Sequence, residues 1–148
     1  MNQRKRRSLV MANYLSLIVM NVFFLFVHRS EDASHFYDVV GLAALALAAF
    51  TFIGVHWRTG YWRLTHAKSD SLDERELFVT HIALSRSYGI FAVICLVIIF
   101  SHAVLDQFDF ALNLVITIPL ASSLLYLAHT LPGSILAWTE HKAPGDPE

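Results

Sequence analysis

The 148-residue sequence contains a single cysteine, Cys95, and this residue lies inside an apolar run. One cysteine excludes a disulfide framework and a cysteine-based zinc site, and a lone thiol among apolar residues is typical of packing. The apolar runs also have no central Asp, Glu, Lys or Arg, which are the usual marks of an ion or proton pathway across a membrane. The sequence therefore disfavours a transporter or channel that acts alone.

Recognisable catalytic motifs are also missing. The sequence has no HExxH pair, no nucleophile elbow, no glycine-rich loop that could cradle a phosphate and no kinase element. Histidines and acidic residues occur together between positions 56 and 81, but their spacing gives little support for a metal site. We therefore expect a non-catalytic protein without a bound metal.

What the sequence does contain is apolar: 55% of its residues are hydrophobic and its mean hydropathy is +0.50, too apolar for an ordinary soluble domain. Four segments are long enough to cross a hydrocarbon core, which needs about 20 apolar residues. The first follows basic residues, as in a signal peptide, but its apolar part is too long and no cleavage site follows, so we expect a retained transmembrane helix. The four segments cover residues 9–27, 39–55, 88–105 and 110–128.

These patterns predict an all-α integral membrane protein, a single membrane domain with four transmembrane helices in an antiparallel bundle. Residues 56–87 are expected to form a cytosolic loop and an amphipathic interfacial helix that leads into the third span, and residues 143–148 a disordered tail. Ser71 and Glu74 have the spacing of a capping box at the start of that helix. Pro132–Gly133 is expected to break the chain after the fourth span.

The basic residues lie almost entirely on one side of the predicted bundle. If the four segments alternate in direction, every Lys and Arg except Arg29 falls on the same side. Basic loops are retained in the cytoplasm. We therefore expect both termini to face the cytoplasm.

Small and polar residues in the first two segments predict helix packing. Asn13 and Asn21 in the first segment carry amides that should face a neighbouring helix, because an unpaired amide is costly in hydrocarbon. Small residues recur at spacings of three and four along the second segment, which lets a backbone approach from this chain or from another protomer. These small residues are Gly41, Ala44, Ala48 and Thr51.

A run of aromatic and basic residues follows the second segment. Aromatic rings suit the headgroup level and cations meet anionic lipid there, so this run predicts a lipid interface and not a nucleic-acid site. Trp138, near the C-terminus, is expected at the same inner interface. The interface residues of the run are Trp57, Arg58, Tyr61, Trp62 and Arg63.

The stretch from Ser69 to Gly89 places several charged residues at the start of a predicted helix. The helix dipole favours acidic residues in a first turn, which is one explanation for them. The other is that this charged start docks a partner protein. The predicted docking residues are Asp73, Glu74, Arg75, Glu76 and His81.

Two short motifs in this region resemble a known group of sequences. TGYWRLTH (Thr59 to His66) followed by LDERE (Leu72 to Glu76) is similar to small bacterial multi-pass membrane proteins with a TGxW…LDERE signature. The resemblance covers about residues 57–89 and implies a four-helix protein of the bacterial inner membrane. The group has no assigned biochemical function, so the resemblance implies no catalytic residue.

Eight histidines are many for such a chain, and four of them could serve a haem. A b-type haem needs two imidazoles from facing helices at matching depth. All four histidines lie at segment ends, where a histidine is also readily solvated among headgroups. The candidate pairs are His28 with His102 near the outer face and His56 with His129 near the inner face.

The sequence thus favours an accessory or scaffold subunit of a larger inner-membrane assembly, without a cofactor. Its expected partners are membrane lipids and either other membrane subunits or further copies of the same chain. The alternative is an electron-transfer membrane protein that holds haem b between histidine pairs. A Soret band in the absorption spectrum of the purified protein distinguishes the two hypotheses.

Overall fold

The computed structural model describes residues 1–29, 35–106 and 114–140, and the regular structure within these ranges is entirely helical, without a strand. The predicted all-α class is confirmed. The predicted tail at residues 143–148 lies outside the described ranges. The α-helices are α1 (Gln3–Arg29), α2 (His35–Phe52), α3 (Tyr61–His66), α4 (Glu74–Asp106) and α5 (Leu114–Thr139).

Four of these helices are long and apolar enough to cross a membrane. Their outward surfaces carry many large apolar side chains; for example, Leu42 is 67% exposed, Phe50 71% and Phe100 74%. Soluble monomers rarely expose contiguous apolar patches of more than a few hundred Å². The apolar stretches of the four helices are Gln3–Phe24, His35–Trp57, Glu74–Val104 and Ile118–Thr139.

The stripe of small residues on α2 is buried against α1 of the same chain. Ala44 and Ala48 are 7% and 3% exposed and pack in one cluster with Leu17 and Met20 of α1. Gly41 and Thr51 of the same stripe are also buried. The close approach that small side chains permit is therefore used within a single protomer.

The end of α2 widens into one π-helical turn at Ile53–Trp57, closed by a hydrogen bond from the Arg58 amide to the Ile53 carbonyl of 3.0 Å. In a continued α-helix, position 56 lies well away from the stripe that ends at Thr51, whereas the wider π turn rotates His56 inward. Gly60 then adopts a left-handed conformation (φ 78°), which a residue without a Cβ tolerates, and α3 starts directly after it.

The predicted interfacial helix and the predicted third span form one continuous helix, α4, of 33 residues. At about 1.5 Å per residue it is roughly 50 Å long, longer than the ~30 Å hydrocarbon core of a bilayer. Its buried residues, Thr80, Ala83 and Ser87, all lie in its first half. The rest of α4 up to Val104 is partly or fully exposed.

The cap of α4 differs from the predicted capping box. Asp73, not Ser71, is the capping residue, because its carboxylate accepts a hydrogen bond of 2.6 Å from the Glu76 amide. Ser71 belongs to a short 3₁₀ turn, and its hydroxyl donates instead to the Lys68 carbonyl at 2.7 Å. The backbone of Leu72 is extended, so α4 begins after this residue.

The predicted break at Pro132–Gly133 is wrong, because α5 continues through both residues to Thr139. α5 therefore ends later than the predicted fourth span at residues 110–128. Proline removes one backbone donor, but a helix in apolar surroundings tolerates this loss when its neighbours hold it in place. Leu131, Leu136 and Ala137, on either side of Pro132–Gly133, are buried.

The main core lies where α1 begins and α5 ends. It brings together side chains from α1, the π turn, α3, α4 and α5, so the short helix α3 fills the space between longer ones. The buried members are Val10, Val55, Tyr61, Leu64, Ala83, Leu136 and Ala137.

Candidate functional site

The π turn places His56 in a closed polar pocket against α5. His56 is 1% exposed, and its Nε2 lies 3.0 Å from the Thr130 carbonyl oxygen and 3.2 Å from the Ser134 hydroxyl. The ring stacks on Phe52 with centroids 5.0 Å apart. Gly133 lies beneath it, where an added Cβ would come within 2.8 Å of His56 Cδ2. His56 therefore joins α2 to α5 through hydrogen bonds and close packing.

Tyr14 extends this polar contact to α1. Its hydroxyl donates a 2.7 Å hydrogen bond to Ser134 Oγ, the same hydroxyl that contacts His56. One serine on α5 thus connects side chains from α1 and from the π turn. His56 Nε2, the Tyr14 hydroxyl and Ser134 Oγ therefore have partners inside the apolar interior, whereas His56 Nδ1 is buried without a hydrogen bond to any described residue.

Asn13, next to Tyr14 on α1, forms a second group of buried polar contacts. Its Nδ2 donates to the Ala48 carbonyl and to the Thr51 hydroxyl, each at 2.9 Å, and the Tyr126 hydroxyl donates to its Oδ1 at 3.0 Å. Asn21 similarly donates to Ser123 of α5 at 2.7 Å. The two amides of α1 therefore hold α2 and α5, as expected for amides at this depth.

Sequence reasoning missed the α5 members of these contacts, although a signal was present. Polar residues recur on α5 at spacings of three and four, which places them on one face of a helix. Within an apolar helix such a stripe marks the side that faces other helices. The stripe consists of Ser123, Tyr126, Thr130 and Ser134.

The inner histidines predicted as a haem pair do not face each other. His56 Nε2 is directed at the Thr130 carbonyl, whereas His129 is exposed and its ring is parallel to that of His66, with an interplanar angle of 8° and centroids 6.4 Å apart. His66 in turn stacks on Trp62. These are contacts between ring faces, and the inner pair therefore does not have the arrangement of two opposed axial ligands.

The outer pair lies partly outside the described residues. The side chain of His28 lies outside the described residues, and His102 is half-buried on α4. Within the described ranges there is no group of three or more His, Cys, Asp or Glu side chains that could hold a metal ion.

The predicted docking residues at the start of α4 divide into two groups. Asp73 caps the helix, Glu76 forms a 2.9 Å ion pair with Arg63, and Arg75 lies 3.6 Å from the carboxylate of Glu140. These three make contacts within the chain. The other two, Glu74 and His81, are exposed on α4.

The residues predicted for the lipid interface differ in their exposure. Trp57 is 71% exposed, Arg58 and Arg63 are exposed, and Trp62 is half-buried. The prediction is wrong for Tyr61, which is 0% exposed and belongs to the core. Tyr61 is the first residue of α3 after the Gly60 turn, and this turn directs it towards α1 and α5 instead of outward.

The basic start of α1 contacts the end of α5. Arg6 is fully buried, donates to the Glu140 carbonyl at 2.5 Å and places its guanidinium 5.9 Å from the centre of the Tyr61 ring. Arg7 donates to the Trp138 carbonyl at 3.0 Å and lies over the Trp138 ring. The last carbonyls of a helix carry its negative dipole end, so these cations satisfy and stabilise the end of α5.

No family model, no curated protein and no solved structure matches this chain. The resemblance to the TGxW…LDERE group stays a prediction.

Proposed function

We propose that this chain is a non-catalytic subunit of the bacterial inner membrane, an accessory or scaffold protein that binds another membrane protein through the start of α4. The four apolar helices form an antiparallel bundle with both termini in the cytoplasm. Contacts along α1 support this arrangement, since Asn13 hydrogen bonds to Ala48 while Phe23 meets Tyr37, and Tyr14 contacts Ser134 while Asn21 contacts Ser123.

The observation that carries the docking proposal is an exposed stripe on α4, here called the α4 outer stripe. Its members recur at spacings of four and three, so they share one face of the helix. Phe78 is 67% and Tyr88 78% exposed, and a carboxylate and an imidazole lie on the same face. The stripe consists of Glu74, Phe78, His81, Ser85 and Tyr88.

The composition of this stripe suits a protein partner better than lipid alone. Exposed aromatic rings are the most frequent anchors of protein interfaces, and Tyr is prominent among them. A groove of about 680 Å³ lies beside the stripe, between α4 and α5, and its walls include His81, Tyr88 and Pro132. A helix or loop of a partner could place a side chain there while its basic groups meet Glu74.

The test is co-purification from membranes solubilised in mild detergent. The variant Glu74→Gln/Tyr88→Ala removes one charge and one aromatic anchor from the stripe. Because an interface anchor contributes about 2 kcal/mol or more, its loss should weaken binding roughly 30-fold and release the partner.

The control variant is Asp70→Asn/Phe50→Ala, which removes an exposed acid and an exposed ring away from the stripe. Wild type and control should retain the same co-purifying protein at equal abundance. If the stripe variant also retains that protein, or if wild type retains none, the docking role is rejected.

A further inference from the structure

A groove on the other side of α4 has a different chemistry. α1 and α4 both pack on α5, but in the described part of the chain they do not pack against each other over any length. The space between them is a groove of about 580 Å³, walled by apolar side chains such as Leu17, Ile94 and Leu127. Volumes of about 300–1,000 Å³ are typical of sites for small organic ligands.

The groove continues towards the end of the molecule where α5 terminates. A second cavity of about 320 Å³ shares Tyr14, Ile90 and Leu131 with the first, and its far walls are formed by Arg86 and Trp138. From Arg86 to Ile98 along α4 the distance is roughly 18 Å at about 1.5 Å per residue. Half of a ~30 Å hydrocarbon core is about 15 Å, so the groove has the depth of one leaflet.

The polar side chains on the groove wall already form hydrogen bonds within the chain. Asn21 Nδ2 donates to Ser123 Oγ at 2.7 Å, and the Tyr14 hydroxyl donates to Ser134 Oγ at 2.7 Å. What remains towards the groove is aliphatic, including the β-branched row of Ile90, Ile94 and Ile98. A ligand in this part gains contact area and no hydrogen bonds, which suits a hydrocarbon chain.

The mouth of the groove, in contrast, is cationic. Arg86 is exposed and forms no ion pair with any described residue. Arg7 adds a second positive charge over the Trp138 ring, with its guanidinium carbon 5.1 Å from the ring centre, while its Nε and Nη2 donate to the Trp138 carbonyl. Glu140, two residues after Trp138, directs its carboxylate at Arg75. Guanidinium groups bind phosphate oxygens in a fixed fork geometry.

From this combination we propose that the groove between α1 and α4 binds one anionic phospholipid. One acyl chain lies along Ile90, Ile94 and Ile98, and the phosphate is held by Arg86 beside Trp138. The α4 outer stripe is a different face, so this inference does not depend on the docking proposal.

The test is binding of defined lipids to the purified full-length protein, measured by native mass spectrometry and by thermal unfolding in detergent. Phosphatidylglycerol should bind one molecule per chain and raise Tm, phosphatidylcholine should bind more weakly, and inorganic phosphate should have no effect. The variant Arg86→Gln should lower the affinity for phosphatidylglycerol about fivefold, as expected for one cation at a lipid surface. Affinity for phosphatidylcholine, whose phosphate charge is balanced by a choline cation, should fall less.

Two further variants make the test specific. Arg58→Gln removes an exposed arginine away from the groove and should leave both affinities unchanged. Ile94→Phe narrows the groove and should weaken both lipids alike, because it acts on the acyl chain. Equal binding of the two lipids by wild type, or equal effects of Arg86→Gln and Arg58→Gln, overturns the proposal. Absence of bound lipid together with a dimer that Ile94→Phe dissociates assigns the groove to a second copy of the chain.

Discussion

Gly133 is the residue that permits the buried contact between α5 and the π turn. A Cβ at this position meets His56 Cδ2 at 2.8 Å, and the ring cannot retreat without losing its contacts with the Thr130 carbonyl and the Ser134 hydroxyl. The usual cost of glycine in a helix is therefore offset here by packing. His56 depends on a residue 77 positions away in sequence.

Gly133→Ala should therefore destabilise the protein, although alanine is the better helix former. Overpacking of a tight interior usually costs about 1–3 kcal/mol. Thermal unfolding in detergent, followed by circular dichroism, should show a lower Tm for this variant.

The matched control is Gly89→Ala on α4, where nothing lies within 4 Å of an added Cβ. Alanine gains up to about 1 kcal/mol over glycine in a helix interior, so this variant should be neutral or stabilised. Equal Tm changes for the two variants would show that Gly133 has no special packing role.

Arg6 is a charged residue that contributes to the fold and does not face solvent. It is fully buried between the end of α5 and Tyr61, and it donates to the Glu140 carbonyl. A basic cluster before an apolar segment indicates orientation in the membrane. In this chain the same cluster also joins the first helix to the last.

At the scale of secondary-structure elements, the pair α1 and α2 depends on small side chains. Ala44 and Ala48 pack against Leu17 and Met20, while Thr51 at the end of the stripe accepts a hydrogen bond from Asn13. Close approach and hydrogen bonding are two of the sources of helix association in lipid, where there is no hydrophobic driving force between helices.

Replacing Ala44 and Ala48 together by Leu should separate α1 from α2. The expected loss is about 1–3 kcal/mol, because the added methylene groups have no space between the helices. Ala43 and Ala46 lie on the exposed face of α2, so the variant Ala43→Leu/Ala46→Leu adds the same volume outside the contact. Thermal stability in detergent should fall for the first variant only, and a fall of equal size in both contradicts the assigned role of the stripe.

At the scale of the whole molecule, polar contacts join three helices at one end of the described structure. Arg6 and Arg7 of α1, Arg75 of α4 and the end of α5 at Glu140 meet there. The start of the first helix and the end of the last helix therefore lie together. The charge pattern predicts that this end faces the cytoplasm.

Labelling with an impermeant thiol reagent on intact cells tests this orientation. In a Cys95→Ala background, cysteines introduced at Ser34 and Gln107, both outside the described residues, should be labelled from outside. A cysteine at the exposed position Ser69 should react only after the membrane is opened. Labelling of Ser69→Cys in intact cells contradicts the orientation.

The sequence by itself determined the class, the number of apolar helices and the packing face of α2. These follow from local properties, namely segment length, hydropathy and the three-and-four spacing of small residues, and such properties need no knowledge of what lies opposite. The spacing from Gly41 to Thr51 marked the residues that are buried. It left open whether the neighbour belonged to the same chain.

Only the tertiary structure decided the rest, because the remaining features depend on pairs of residues far apart in sequence. Pro132–Gly133 predicts a break from local chemistry, yet in the fold Gly133 receives His56 and the helix continues. Tyr61 belongs to an aromatic run that suggests a membrane interface, yet the Gly60 turn directs its ring into the core. The groove between α1 and α4 exists because, in the described part of the chain, both helices pack on α5 and do not pack against each other over any length. Hydropathy indicates which surfaces are removed from water. The fold determines which of these surfaces pack against another part of the chain.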